Sequence, residues 1–176
     1  PIVPRGALSD VERSTIDIFA RYSPGVVTVI NKALLKDFFS MTFYEDIRGS
    51  GSGFIWNKQG HIVSNFHVVD AASAIQVILK DGTRYDAVIV GLDPDHDLAV
   101  LKIDAPPKSL TPIPLGTSRD LKVGQRVMAI GHPFGFDTSL SVGIISSLDR
   151  EMRSPTRLMI RDIIQTDAAI NFGNSG

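Results

Sequence analysis

The residues of this chain that could do covalent chemistry are few, and one of them is a serine, Ser175, set in Gly173-Asn174-Ser175-Gly176 among small, turn-forming residues. A tight turn of this kind can aim backbone N–H groups at a reacting carbonyl oxygen, which acyl transfer to a serine nucleophile requires. The same tetrapeptide is also ordinary turn composition, so it carries little alone. A serine hydroxyl needs a base within hydrogen-bond reach, and the base needs a third group to fix its tautomer and orientation. Four histidines are available. His67 follows the strand-like Val63-Ser-Asn-Phe and precedes the small-residue turn Asp70-Ala-Ala-Ser73, where a side chain can face a cleft from rigid backbone. His61 reads as a surface residue at a strand start, His96 as a solvated residue between two aspartates, and His132 as part of the turn Gly131-His-Pro-Phe-Gly135.

Three aspartates, Asp93, Asp95 and Asp97, are candidates for the orienting carboxylate. Asp97 adjoins the apolar Leu98-Ala-Val-Leu101, where a carboxylate can be partly buried and needs a partner. Asp93, beside Pro94, is better explained as a turn former. Together with His96 these carboxylates could also bind a divalent ion, but the spacing lacks the glycine and distal glutamate of a calcium loop. No metal and no cofactor is expected.

The elements that must position these groups follow from periodicity and punctuation. Ser9, with Asp10 and Glu12 after it, marks a helix start. Ile16, Phe19 and Ala20 then share one face, and Ser23-Pro24-Gly25 ends the segment. Beyond it come short β-branched and aromatic runs cut by turns: Val26–Ile30, Gly53–Trp56, His61–Ser64, Ile75–Leu79, Tyr85–Leu92, Leu98–Ile103, Arg126–Ile130, Leu140–Ser147 and Asp162–Thr166. Their even spacing predicts an all-β fold, sandwich or barrel. Between Asn31 and Arg48 the pattern fits a short helix, an irregular strand or a mobile loop, and a flexible loop with exposed Leu35, Phe38, Phe39 and Phe43 is favoured. Four prolines between Asp104 and Pro114 mark a linker. The expected organisation is an N-terminal segment with a short helix over 1–25, a first β unit over 26–104 carrying His67 and Asp97, a linker over 105–114, and a second unit over 115–176 carrying Ser175.

Composition narrows the classes. With 176 residues the chain can bury a real core, and Lys+Arg 18 against Asp+Glu 19 leaves no field that would attract nucleic acid or an anionic membrane. There are no cysteines, which removes disulfides, thiolate zinc sites and cysteine nucleophiles together. No run of 18 apolar residues is present to span a bilayer. The chain begins at Pro1, as expected of a mature or excised form.

The order His67, Asp97, Ser175 on a two-unit all-β chain resembles the chymotrypsin order of the Ser-His-Asp triad. More specifically, the chain resembles the HtrA/Deg, or protease Do-like, serine proteases. The matching segments are Gly49-Ser-Gly-Ser-Gly-Phe-Ile-Trp56, Gly60-His-Ile-Val-Ser-Asn-Phe-His-Val-Val69, Asp97-Leu-Ala-Val-Leu-Lys102, Val123-Gly-Gln-Arg-Val-Met-Ala-Ile-Gly131, Pro133-Phe-Gly135 and Gln165-Thr-Asp-Ala-Ala-Ile-Asn171.

That resemblance implies a chymotrypsin-like double β-barrel with the catalytic groups in the cleft between barrels. It implies Ser175 as nucleophile, His67 as general base and acid, Asp97 as the orienting carboxylate, an oxyanion hole from the backbone of Gly173, Asn174 and Ser175, and an S1 pocket with Ile170 and Asn171 that takes a small or medium apolar residue. It further implies unfolded or damaged polypeptides as substrates, a role in protein quality control and stress response, and a trimer or larger oligomer, with Phe19 and Tyr22 either at subunit contacts or covering the base of the first barrel. The periplasm or another extracytoplasmic or organellar lumen is the compartment it favours. Regulatory loops would correspond to Gly131–Asp137, Asp149–Arg161 and Ala168–Gly173.

The pattern departs in three places. Phe172 stands where the family usually has proline or a polar or basic residue, and His132 where it has asparagine. The family pattern also continues past the nucleophile with a second glycine, a Pro-Leu pair and further strands. The expectation is therefore an incomplete second barrel and little or no proteolysis by these residues alone. A family relative without catalysis, serving as a chaperone-like or binding subunit, is the alternative.

Overall fold

Helix α1 (Asp10–Tyr22) starts where the cap residues predict. The Ser9 hydroxyl accepts the Glu12 N–H at 3.2 Å, and the Glu12 carboxylate accepts the Ser9 N–H at 2.7 Å, a reciprocal capping box. The Ser9 N–H first, and then the Ser9 hydroxyl donating to the same carboxylate at 2.7 Å, hold the Glu12 carboxyl below its ordinary value. None of the α1 residues is buried, so its order rests largely on local bonds. The computed structural model describes residues 6–36, 43–132, 138–153 and 159–170.

Six strands then close into a barrel: β1 (Val26–Lys36), β2 (Phe43–Ile55), β3 (His61–Ser64), β4 (Ala74–Ile78), β5 (Arg84–Asp93) and β6 (Leu98–Ile103). Their order around it is β1-β2-β3-β6-β5-β4, every neighbouring pair antiparallel. Period-two alternation places Val27, Val29, Ile55, Ile62, Val77, Leu101 and Ile103 inside, where they are buried. Closure removes the free strand edges that an open sheet of this length would present. One glycine is required by the close approach of two turns: Gly60 has φ +90°, and a Cβ there would lie 2.3 Å from the Ile103 carbonyl oxygen.

The loop expected between Asn31 and Arg48 is corrected by this barrel. Asn31–Lys36 extends β1 and Phe43–Arg48 belongs to β2, with pairs such as Lys32↔Ile47 and Leu34↔Glu45. A register shift between Asn31 and Lys32 breaks the alternation, which is why the run does not read as strand in sequence. Phe38 and Phe39 lie outside the described residues.

After β6 the proline-rich stretch is irregular apart from a 3-10 turn at Pro107–Ser109, yet it is tied down. Leu110 is buried in the barrel core, and the Ile113 N–H donates to the Ile55 carbonyl at 3.0 Å. A three-stranded antiparallel sheet follows, β7 (Arg126–Gly131), β8 (Ser139–Arg153) and β9 (Met159–Thr166), in that order. Both Asp149–Arg153 and Met159–Arg161 are strand, so much of the segment expected as a regulatory loop is a ribbon extending β8 and β9. All nine expected strands are present, with ends moved by a few residues in most cases.

The sheet and the barrel meet at His132, which is buried; Pro133–Gly135 of the expected turn lie outside the described residues. The His132 N–H donates to the Ser52 hydroxyl at 2.9 Å, and its carbonyl accepts the Thr28 hydroxyl at 2.7 Å. Tyr22, with Ile18, Val26, Ile113 and Met128, lines an apolar cavity of about 510 Å³ between α1, the barrel and β7. Phe19 lies under the Lys80 ammonium, 5.8 Å from its ring centre.

Candidate active site

Two strand ends of the barrel converge on one carboxylate. Chain leaving β3 turns into a single helical turn, α2 (Phe66–Val69), which sequence periodicity does not reveal because four residues are too few to show a helical face. Its end is pinned from β1: the Asn31 amide donates to the carbonyls of Val68 and Asp70, each at 3.0 Å. Asp97 precedes β6 with φ +56°, a left-handed conformation that aspartate and asparagine tolerate better than most residues. That conformation presents the Asp97 carbonyl to two donors, the Phe66 N–H at 3.0 Å and the Asn65 side-chain amide at 2.9 Å.

The Asp97 carboxylate in turn holds His67 by two bonds. Its Oδ1 accepts the His67 backbone N–H at 2.9 Å, and its Oδ2 lies 2.7 Å from His67 Nδ1. An ionised carboxylate only accepts, so Nδ1 carries the proton and Nε2 keeps its lone pair. The Asp97 side chain is 20% exposed and the imidazole 46%, so the orienting group is screened while the ring opens outward. An imidazole in this tautomer, with its back nitrogen engaged, can take a proton at Nε2 from an incoming hydroxyl.

The remaining histidines are placed elsewhere. His61 opens β3, half-buried, with Nδ1 beside the Asn57 amide group. His96 turns back on Asp93, Nδ1 to Oδ2 at 2.7 Å, and that bond lowers the Asp93 carboxyl below its ordinary value. The acidic loop thus uses Asp93 for His96 and Asp97 for His67. Among the described residues no group of three or more His, Cys, Asp or Glu could hold a metal ion. No helix among them is long and apolar enough to cross a membrane.

β9 ends at Thr166, nine residues before Ser175 in the chain. Ala168 is buried against β8, and Ile170 is 61% exposed. Asn171, Phe172, Gly173, Asn174 and Ser175 lie outside the described residues. The structure therefore brings His67 and Asp97 together, as their order in the chain predicts. Sequence reading misses Asn65 and Asn31, although Asn65 sits two residues before His67 and an asparagine at a strand end is a ready donor to nearby backbone.

Comparison with known proteins places these features in context. The family described as "Trypsin-like peptidase domain" matches residues 51–176. Protease Do-like 1, chloroplastic, of Arabidopsis thaliana is 54% identical over 94% of this chain and 38% of its own length. Protease Do-like 5, chloroplastic, of the same plant is 45% identical over 92% of this chain and 54% of its own length. The chain thus spans about half, or less, of the curated relatives it matches. The crystal structure of Deg5 superposes with a TM-score of 0.78 at 42% identity, covering 96% of this chain and 79% of that one.

Proposed function

This chain belongs to the HtrA/Deg group of trypsin-like serine proteases, and from that premise we propose that it is the part of a serine endopeptidase that carries the catalytic triad. The observation that carries the reading is the pair of bonds from the Asp97 carboxylate to His67, which leaves Nε2 free to act as a base. Ser175 Oγ attacks the peptide carbonyl carbon as His67 Nε2 takes its proton. The resulting oxyanion is held by backbone N–H groups of the Gly173-Asn174-Ser175 turn, each donor contributing about 3 kcal/mol to the transition state. The tetrahedral carbon expels the amine, which takes the proton from His67, and leaves an acyl group on Ser175. Water then attacks the ester carbonyl, giving its proton to His67, and the acid is released as that proton returns to Ser175. Asp97 keeps the ring in register and stabilises its cationic form throughout.

Ile170 and Asn171 border the S1 pocket in this reading, which favours a small or medium apolar residue before the cleaved bond. Unfolded or damaged polypeptides are the substrates, since a cleft that pairs with extended chain requires local unfolding. Protein quality control and stress response are the setting, a homo-trimer or larger assembly is the working form, and the compartment is a lumen outside the cytosol. The division into 26–104 and 115–176, joined by the 105–114 linker, supplies two units that meet at the site.

Incubation of the full-length protein with unfolded casein and with a stably folded protein tests this. Cleavage of casein alone, abolished by Ser175→Ala, is expected. A chaperone-like relative would instead bind unfolded chains and leave them intact, and that result would overturn the endopeptidase reading.

A further inference from the structure

The chain that runs from β9 toward Ser175 leaves its neighbour β8 in an unusual way. Ile145 of β8 pairs with Thr166 at the end of β9. Past that point side chains replace the ladder. The Asp167 carboxylate Oδ1 accepts the Ile144 N–H at 2.7 Å, the Ser141 hydroxyl donates to the Ala169 carbonyl at 2.5 Å, and the Thr166 hydroxyl accepts the Ala168 N–H at 3.0 Å. A carboxylate makes a stronger acceptor for a backbone N–H than a neutral carbonyl does.

Gly143 lies under this crossing. A Cβ there would sit 2.3 Å from the Ala168 nitrogen, 2.4 Å from Asp167 Oδ1 and 2.7 Å from the Ala168 Cα, far inside contact distance. β8 cannot retreat to make room, because Val127, Ala129 and Arg126 of β7 pair with Gly143, Ser141 and Ile144 on its opposite edge. A glycine inside a strand is what such an approach of two backbones demands. The segment 167–169 is therefore laid flat on β8 and fastened there, ending six residues ahead of Ser175.

We propose that Asp167 is a positioning residue of the protease: with Ser141 and the bare backbone of Gly143, it fixes where the chain departs from β8 and so the register in which Ser175 meets His67. The proposal rests on the reading of Ser175 as nucleophile. Asp167→Ala removes the acceptor from the Ile144 N–H and frees segment 167–169 to lift from β8. Asp167→Asn keeps a side-chain carbonyl oxygen at the same place.

The test uses the full-length protease, a fluorophosphonate probe that phosphonylates an activated serine with loss of fluoride, a peptide substrate and thermal unfolding. A misplacement of about 1 Å can cost on the order of 100-fold in rate, so Asp167→Ala should slow Ser175 labelling and lower kcat by about 10- to 100-fold while changing KM by less than about threefold. Asp167→Asn should recover labelling to within about threefold of the parent, and Ser141→Ala should move in the same direction as Asp167→Ala by a smaller factor. If Asp167→Ala lowers the melting temperature yet labels at the parent rate, Asp167 is merely structural and the proposal is overturned. Failure of the parent protein to label at Ser175 is seen before any substitution is made, and it overturns the nucleophile reading together with the proposal.

Discussion

Replacing Asp97 by asparagine changes one atom and should cost nearly all catalysis, for a reason visible in the bonds. The two carboxylate oxygens are committed to two donors of the same residue, Oδ1 to the His67 backbone N–H at 2.9 Å and Oδ2 to Nδ1 at 2.7 Å. In Asp97→Asn the backbone N–H cannot rotate away, so it selects the amide oxygen for Oδ1. The amide nitrogen is then left facing Nδ1. A donor there forces Nδ1 to accept, which moves the imidazole proton to Nε2 and removes the lone pair that should receive the Ser175 proton. Loss of the correct tautomer in a triad costs about 10⁴-fold in kcat, or ~5.5 kcal/mol at 1.36 kcal/mol per decade. Asparagine tolerates the left-handed φ of +56° as well as aspartate does, so the fold should not answer for the loss. Turnover of a chromogenic peptide by the full-length protease, measured with thermal unfolding of the same preparations, separates the two. An Asp97→Asn enzyme with kcat within about tenfold of the parent would show that the Asp97 bonds do not set the His67 tautomer.

Three other outcomes follow from the same structure. Asn65→Ala removes one of two donors to the Asp97 carbonyl and should lower kcat by up to about tenfold, one hydrogen bond's worth, with KM little changed; an unchanged kcat would make that bond incidental. Leu110→Ala should destabilise by about 2–5 kcal/mol in urea unfolding, because its side chain is buried in the barrel core, and a loss below about 1 kcal/mol would mean that the linker is not anchored there. Glu12, whose folded-state pKa is lowered by its bonds to Ser9, stabilises α1 fully above the ordinary carboxyl value of 4.5 and loses that contribution as pH falls through the lowered value. Far-ultraviolet circular dichroism should therefore show α1 fraying in acid, and Glu12→Gln, which removes the titrating carboxyl, should remove this pH dependence; an equal acid response in Glu12→Gln would show that the Glu12 carboxylate does not hold the helix start.

The barrel was legible in the sequence because β3, β4 and β6 alternate cleanly and turns such as Asn57-Lys-Gln-Gly60 and Lys80-Asp-Gly82 punctuate the strands. The reading fails over 31–48: the bulge at Asn31/Lys32 turns β1 out of phase, and a 13-residue β2 is hidden by the run of glycines and serines over 49–53. His67 and Asp97 could be paired from their order and their strand-end positions. The contacts that aim them could not, since the Asp97 carbonyl becomes an acceptor for Asn65 and Phe66 only once its φ is positive, and no residue type announces that. His132 gave no sign of burial because the hydroxyls that bond its backbone belong to Thr28 and Ser52, 104 and 80 positions away in the chain. Gly143 sits inside the expected run Leu140–Ser147, but the backbone of Ala168 that crosses it comes from a segment more than twenty residues later, so only the folded chain shows the approach.

Mass-spectrometric mapping of fluorophosphonate adducts on the full-length protein and its His67→Ala variant shows whether His67 and Asp97 activate Ser175. Phosphonylation at Ser175 is expected in the parent, and its loss in the variant. A parent protein unlabelled at Ser175, or one whose Ser175 labels equally well without the His67 imidazole, would contradict that activation.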